Sequence, residues 1–245
     1  MANLRLAARL LALVLALLGA LCMHGLRRLL RLQSPWPRLF LGLVARIVGA
    51  RVRVIGVPLR RDVVFLANHL SWIDILAIAG ATGSSFVAKG ELRHVPLVGW
   101  LCTLNRTIFV SRDDRLQVSA QIARLREALG AGRAVTIFPE GTTGDGVTLL
   151  PFKAALLAAL DPPPAGVRVQ PMRVDYGTAT DDLAWVGDEP GQSHALRVLR
   201  RRGTFAVTLH ALAPFDPAEA GNRKAIASQA RAAIENAQST PAPKV

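Results

Sequence analysis

Residues 62–74 read DVVFLANHLSWID, a short apolar run that delivers Asn68 and His69 and puts Asp74 five positions after the histidine. Imidazole titrates near neutrality, about pH 6.5 when unperturbed. A carboxylate on one ring nitrogen fixes its tautomer and leaves the other nitrogen free to accept a proton. His69 and Asp74 are therefore candidates for a general base and the group that orients it. Five residues along a helix turn through about 140°, so the two cannot share a helix face. They meet only if His69 lies just outside a helix whose first turn holds Asp74. Ser71 is a good N-cap for such a helix, and Ser71-x-x-Asp74 also fits a capping box. A second reading stays open, in which Asp74 only caps the helix and His69 is a loop residue.

Two further groups stand at the ends of strand-like runs. Phe138-Pro139-Glu140-Gly141-Thr142-Thr143-Gly144 brings a carboxylate, a flexible glycine and two hydroxyls out together. Glu140 can accept hydrogen bonds from a hydroxylated acceptor, and Gly141 allows close approach to the backbone. The plainer alternative is a turn before the next element. Lys89 and Arg112 follow successive strands and could clamp a phosphate, the arginine through paired hydrogen bonds and the lysine as a point charge. They are equally compatible with solvated cations or salt bridges to Glu91 or Asp113.

These residues need a scaffold that gathers strand ends. Apolar, largely β-branched or aromatic runs occur at Val52–Val57, Val63–Ala67, Phe86–Ala88, Thr107–Val110, Val135–Phe138, Val167–Val174 and Phe205–Ala211. Helical patterns fall between several of them, at Ile73–Ala79, Leu116–Leu129 and Phe152–Leu160, and Ala218–Gln238 closes the chain. The alternation predicts an α/β fold: one domain with a mixed, largely parallel sheet flanked by helices. Ligands in open α/β sheets gather at the carboxyl ends of the strands, where the candidates sit.

The first 48 residues are set apart. Leu10–Leu26 gives 17 residues without formal charge, flanked by Arg5 and Arg9 on one side and Arg27, Arg28 and Arg31 on the other. Spanning a bilayer takes about 20 apolar residues, and long arginines can snorkel at both ends. A signal peptide competes, but no convincing small-x-small cleavage site follows. The extra arginines on the C-terminal flank place the body of the protein in the cytoplasm, at the inner membrane. After the Pro35-Trp36-Pro37 break, Leu39–Ala50 is too short to span and suits a helix lying in the interface. The predicted organisation is a membrane-anchoring helical segment at 1–48, a catalytic domain at 49–240 and a tail at 241–245.

The chain of 245 residues carries a net charge of +13, from 26 arginines and 4 lysines against 17 acidic residues. Such a balance attracts polyanions. Nucleic acid is disfavoured as a partner, because there is no binding module and aromatics make up only 5% of the chain. Cys22 and Cys102 supply neither a disulfide framework nor a metal site, so no metal is expected.

Asn68-His69-x4-Asp74 is followed by Lys89-x-Glu91-Leu92 running through Pro96 and Gly99, then Phe109-Val110-Ser111-Arg112. Phe138-Pro139-Glu140-Gly141-Thr142 and Val169-Gln170-Pro171 complete the order. In order and approximate spacing the sequence resembles the 1-acylglycerol-3-phosphate acyltransferase family, over about residues 50 to 175. Val110-Ser111 departs from the family's frequent Ile-Asp, leaving Arg112 in place. The resemblance implies a membrane-associated enzyme that moves a fatty acyl chain from acyl-CoA or acyl carrier protein to a lysolipid hydroxyl. No cofactor is implied beyond that co-substrate. It makes His69 the base and Asp74 its partner, with Arg112, Glu140 and Gly141 positioning the acceptor; Thr142 belongs to the same block, and Lys89 is an added phosphate candidate. Lysophosphatidic acid is the first acceptor implied, and a lyso-ornithine-type aminolipid or another lysophospholipid would use the same base. Lipid binding without catalysis on the same fold is the competing class. An anionic membrane surface is the remaining partner.

Overall fold

The computed structural model describes residues 1–110 and 115–239. Every apolar run forms a strand: β1 (Ala50–Ile55), β2 (Val63–Ala67), β3 (Ser85–Lys89), β4 (Ile108–Val110), β5 (Ala134–Ile137), β6 (Arg168–Asp175) and β7 (Phe205–Ala211). They make one seven-stranded sheet in the order β1-β7-β6-β2-β5-β3-β4. All neighbours are parallel except β6 and β7, so β1 and β7 run opposite to the other five. The sheet is mixed and mostly parallel, as the sequence predicts.

The helices are α1 (Ala2–Leu29), α2 (Trp36–Val48), α3 (Trp72–Thr82), α4 (Val98–Leu104), α5 (Arg115–Gly130), α6 (Thr180–Leu183), α7 (Gly191–Arg200), α8 (Pro217–Ala220) and α9 (Arg223–Ser239). The central strand β2 is buried along its whole length. Its side chains alternate between two cores, as a pleated strand requires. Val63, Phe65 and Ala67 join the core containing residues of α2, α3 and α7, whereas Val64 and Leu66 join the core containing residues of α5 and α9.

Four details differ from the sequence expectation. Phe152–Leu160 is not one helix: only Leu156–Leu160 forms a 3₁₀ turn. The segment before it is tied down elsewhere, with Leu150 N–H donating to Glu140 Oε2 and Lys153 N–H to the Pro139 carbonyl. The C-terminal helix is split at Gly221, which takes φ 93°, and Asn222 Oδ1 then caps α9 by accepting from the Lys224 and Ala225 N–H groups. Helices α4 and α7 were not expected. The predicted tail, 241–245, lies outside the described residues.

Among the described residues α1 alone is long and apolar enough to cross a membrane, with a mean hydropathy of 2.4 over a window that is 0% buried. It includes Arg5 and Arg9, which turn toward the body. Arg9 donates to the carbonyls of Val198, Leu199 and Gly203 at 3.0, 3.0 and 3.3 Å, and Arg5 to that of Arg200 at 3.3 Å. They add donors to carbonyls at and just beyond the C-terminus of α7. Helix α2 packs on α3 rather than lying apart from the domain. The two backbones approach at Gly42 and Gly80, where a Cβ on Gly80 would stand 2.7 Å from Gly42 Cα.

That approach tolerates no side chain. Gly80→Val is expected to cost about 1–3 kcal/mol through overpacking, lowering Tm by roughly 2–10 °C in a detergent thermal melt. Gly19→Ala on α1, where a Cβ meets nothing within 4 Å and alanine is the better helix former, is expected to keep or raise Tm.

Candidate active site

Strand β2 ends inside the protein, and the two residues after it are fixed from opposite sides. Asn68 pairs with the backbone of β6: its Nδ2 donates to the Val174 carbonyl at 3.0 Å and its Oδ1 accepts from Val174 N–H at 2.7 Å. The backbone of His69 is gripped by the loop after β5. Its N–H donates to Glu140 Oε1 at 2.8 Å, and its carbonyl accepts from Gly144 N–H at 2.7 Å. The imidazole lies flat on Phe138, ring centroids 3.9 Å apart and planes 13° apart, and Phe138 in turn stacks on Phe86 of β3.

The capping box and the dyad are the same arrangement. Ser71 is the N-cap of α3, with its hydroxyl accepting from Ile73 N–H. Asp74, 0% exposed, accepts at Oδ2 from His69 Nδ1 at 2.9 Å, from Leu70 N–H at 2.7 Å and from Ser71 N–H at 3.0 Å. Its other oxygen, Oδ1, accepts from the Tyr176 hydroxyl. A buried carboxylate needs such donors, and the N-terminus of α3 adds the favourable end of a helix dipole. Since a carboxylate only accepts, the His69–Asp74 bond puts the ring proton on Nδ1 and leaves the Nε2 lone pair available. Among the described residues Nε2 has no hydrogen-bond partner, and the His69 side chain is 17% exposed. This is an oriented imidazole open on one side.

The other sequence candidates divide. Glu140 is 3% exposed and its carboxylate faces inward, bonded to the backbone N–H groups of His69 and Leu150. Burial pushes its carboxyl above the usual range, while those two bonds and His69 oppose the shift. Gly141 takes φ 73° in a turn closed by its N–H to the Phe138 carbonyl, and Thr142 beside it is exposed. Lys89 is exposed at the carboxyl end of β3, the strand next to β5. Arg112 lies outside the described residues. Gln170, in the last of the motif blocks, is structural: its amide binds Leu59 N–H and the carbonyls of Val57 and Leu212. Among the described residues no group of three His, Cys, Asp or Glu side chains is placed to hold a metal ion.

Two contributors were not assigned these roles from sequence. Tyr176 lies wholly inside against Asp74, 102 residues away in the chain. Trp185 braces the catalytic turn: its N–H donates to the Leu70 carbonyl at 2.8 Å, and its own carbonyl accepts from the Thr143 hydroxyl. The buried His194 accepts from Trp72 Nε1 at 2.9 Å, and burial lowers its pKa, so it serves as neutral scaffolding.

An open Nε2 beside a strand-end loop is the equipment of a proton-abstracting transferase, and the chain belongs to the acyltransferase family, whose model matches residues 51–175. It is 38% identical over 251 residues to the lyso-ornithine lipid O-acyltransferase of Pseudomonas aeruginosa, covering 96% of this chain and 93% of that one. The protein of the same name from Rhodobacter capsulatus is 32% identical over 252 residues, covering 95% and 89%. The crystal structure of the 1-acyl-sn-glycerophosphate acyltransferase of Thermotoga maritima has the same fold, with a TM-score of 0.61 and 23% identity over 99% of this chain and 100% of that one.

Removing the inward carboxylate strands two buried donors. Glu140→Ala is expected to cost about 2–4 kcal/mol, or roughly 5–15 °C in Tm by thermal melt, and to lower activity through displacement of His69.

Proposed function

We propose that this chain transfers a fatty acyl group from acyl-CoA or acyl carrier protein to the hydroxyl of a lysolipid at a membrane surface. The observation that carries the proposal is the His69–Asp74 pair, with Nδ1 tied to the carboxylate and Nε2 open. The acceptor hydroxyl gives its proton to Nε2 as its oxygen bonds to the thioester carbonyl carbon. Asp74 stabilises the imidazolium that results. The tetrahedral intermediate collapses with cleavage of the C–S bond, and the imidazolium returns the proton to the leaving thiolate. The products are an ester and a thiol, and no enzyme nucleophile is needed because the lipid hydroxyl is the nucleophile. Exposed Thr142 and the turn at Gly141 form the acceptor's edge, with Lys89 and Arg112 as its cationic contacts. Glu140 acts from beneath by holding the base in place.

The acceptor is a lyso-ornithine-type aminolipid. Likeness to two lyso-ornithine lipid O-acyltransferases along nearly the whole chain supports this choice. The second reading is 1-acylglycerol-3-phosphate, giving phosphatidic acid, and the exposed Lys89 at a strand end favours it. Helix α1 is the anchor, holding the catalytic domain on the cytoplasmic side of the inner membrane. Each arginine near an anionic headgroup adds about 1 kcal/mol to that attachment.

Membranes carrying the protein, given labelled acyl donors and a panel of lysolipids, are expected to acylate the ornithine lysolipid, with products identified by mass. Acylation of 1-acylglycerol-3-phosphate alone overturns the acceptor assignment, and acylation of no lysolipid overturns the function. His69→Ala is expected to lower kcat by about 10²–10⁴-fold while leaving Tm and vesicle flotation as in the parent.

A further inference from the structure

The mechanism uses only one oxygen of Asp74. The other, Oδ1, accepts from Tyr176, whose side chain is among the largest fully buried ones. Burial and the neighbouring Asp74 charge hold the phenol well above its usual range, so it keeps its proton and stays a donor. Tyr176 comes directly after β6, the strand that Asn68 clamps through Val174, so its backbone is fixed to the same turn that carries His69.

We infer that Tyr176 is a positioning residue for the reaction, holding the Asp74 carboxylate in the rotamer and charge distribution that keep His69 a usable base. The inference rests on His69 being that base. Without the phenol O–H, Oδ1 is a buried acceptor with no partner, and the carboxylate loses the contact that fixes its plane against Nδ1. The lost dipole also has a sign. Its positive end points at Asp74 and disperses the carboxylate's charge. Its removal leaves an imidazolium held more tightly and a carboxylate that takes up a proton more readily. Both consequences push the acid limb of the pH–rate profile to higher pH. The other charged groups near the dyad are Glu140 of the second loop and, across a small cavity that Asn68 also lines, the ion-paired Arg173 and Asp175 of β6. None of them changes with Tyr176.

The chain has a single tyrosine, so replacing tyrosine biosynthetically alters this position alone. Tyr176→Phe in the full-length protein is expected to lower kcat about tenfold, leave KM within about twofold and move the acid limb of kcat/KM upward by about half a unit or more. Substitution of 3,5-difluorotyrosine, a stronger donor of nearly the same shape, is expected to move that limb downward, and it decides the matter if Tyr176→Phe does not fold. A limb that stays in place, or a Tyr176→Phe loss confined to KM, overturns the inference. His69→Ala run in parallel separates the two claims. If that variant stays active the base assignment itself fails, whereas an inactive His69→Ala beside an unmoved limb overturns only the role of Tyr176.

Discussion

A single buried carboxylate organises the candidate active site of this protein. Asp74 starts helix α3 by accepting from Leu70 and Ser71, fixes the imidazole of His69 and binds Tyr176 from the far end of β6. A charge removed from water must be offset by hydrogen bonds and dipoles, and Asp74 draws on both. The same bonds settle the backbone path of the turn, so the proposed catalysis and the local fold depend on one set of contacts. The second loop completes the restraint from outside, holding both backbone polar groups of His69 while Phe138 covers one face of its ring.

Arginine, the most conspicuous feature of the composition, serves within the fold as well as on its surface. Arg38 and Arg60 donate to the carbonyls of Gly80 and Ala81, where α3 ends, at 2.7–3.1 Å. That helix therefore has a carboxylate at its positive end and guanidinium groups at its negative one. Arg9 does the same for α7. Arg197 pairs with Glu189, and Arg201 reaches Asp182 and covers the ring of Phe205. The patch around Arg197–Arg202 is thus partly committed to internal contacts, leaving less of it for a polyanionic partner.

The sheet was legible because the central strands β2 and β5 are continuous buried runs, and the edge strand β1 still alternates valines with arginines. The dyad was legible because its partners lie five residues apart and a capping signal sits between them. Helix α7 was not, since its charged and small residues bury only His194, Val198 and Leu199 and give no long apolar stripe. The inward turn of Glu140 could not be foreseen either, because a carboxylate after a strand looks the same whether it meets a ligand or a backbone N–H. Tyr176 is the harder case. Its partner is distant in sequence, and only the pairing of β2 with β6 brings the two together.

The bonds from Arg9 to Val198 and Leu199 join residues 189 and 190 positions apart. The edge strand β1 likewise pairs with β7, the last strand to be made. A chain synthesised from its N-terminus therefore exposes its apolar leader long before either partner exists. Contacts of such separation form late and slowly. In the interval the face of α1 that later meets α7 has no partner within the chain. On this account the two ends of the chain are joined last, and the edge strand and the first helix are locked together by the same late event.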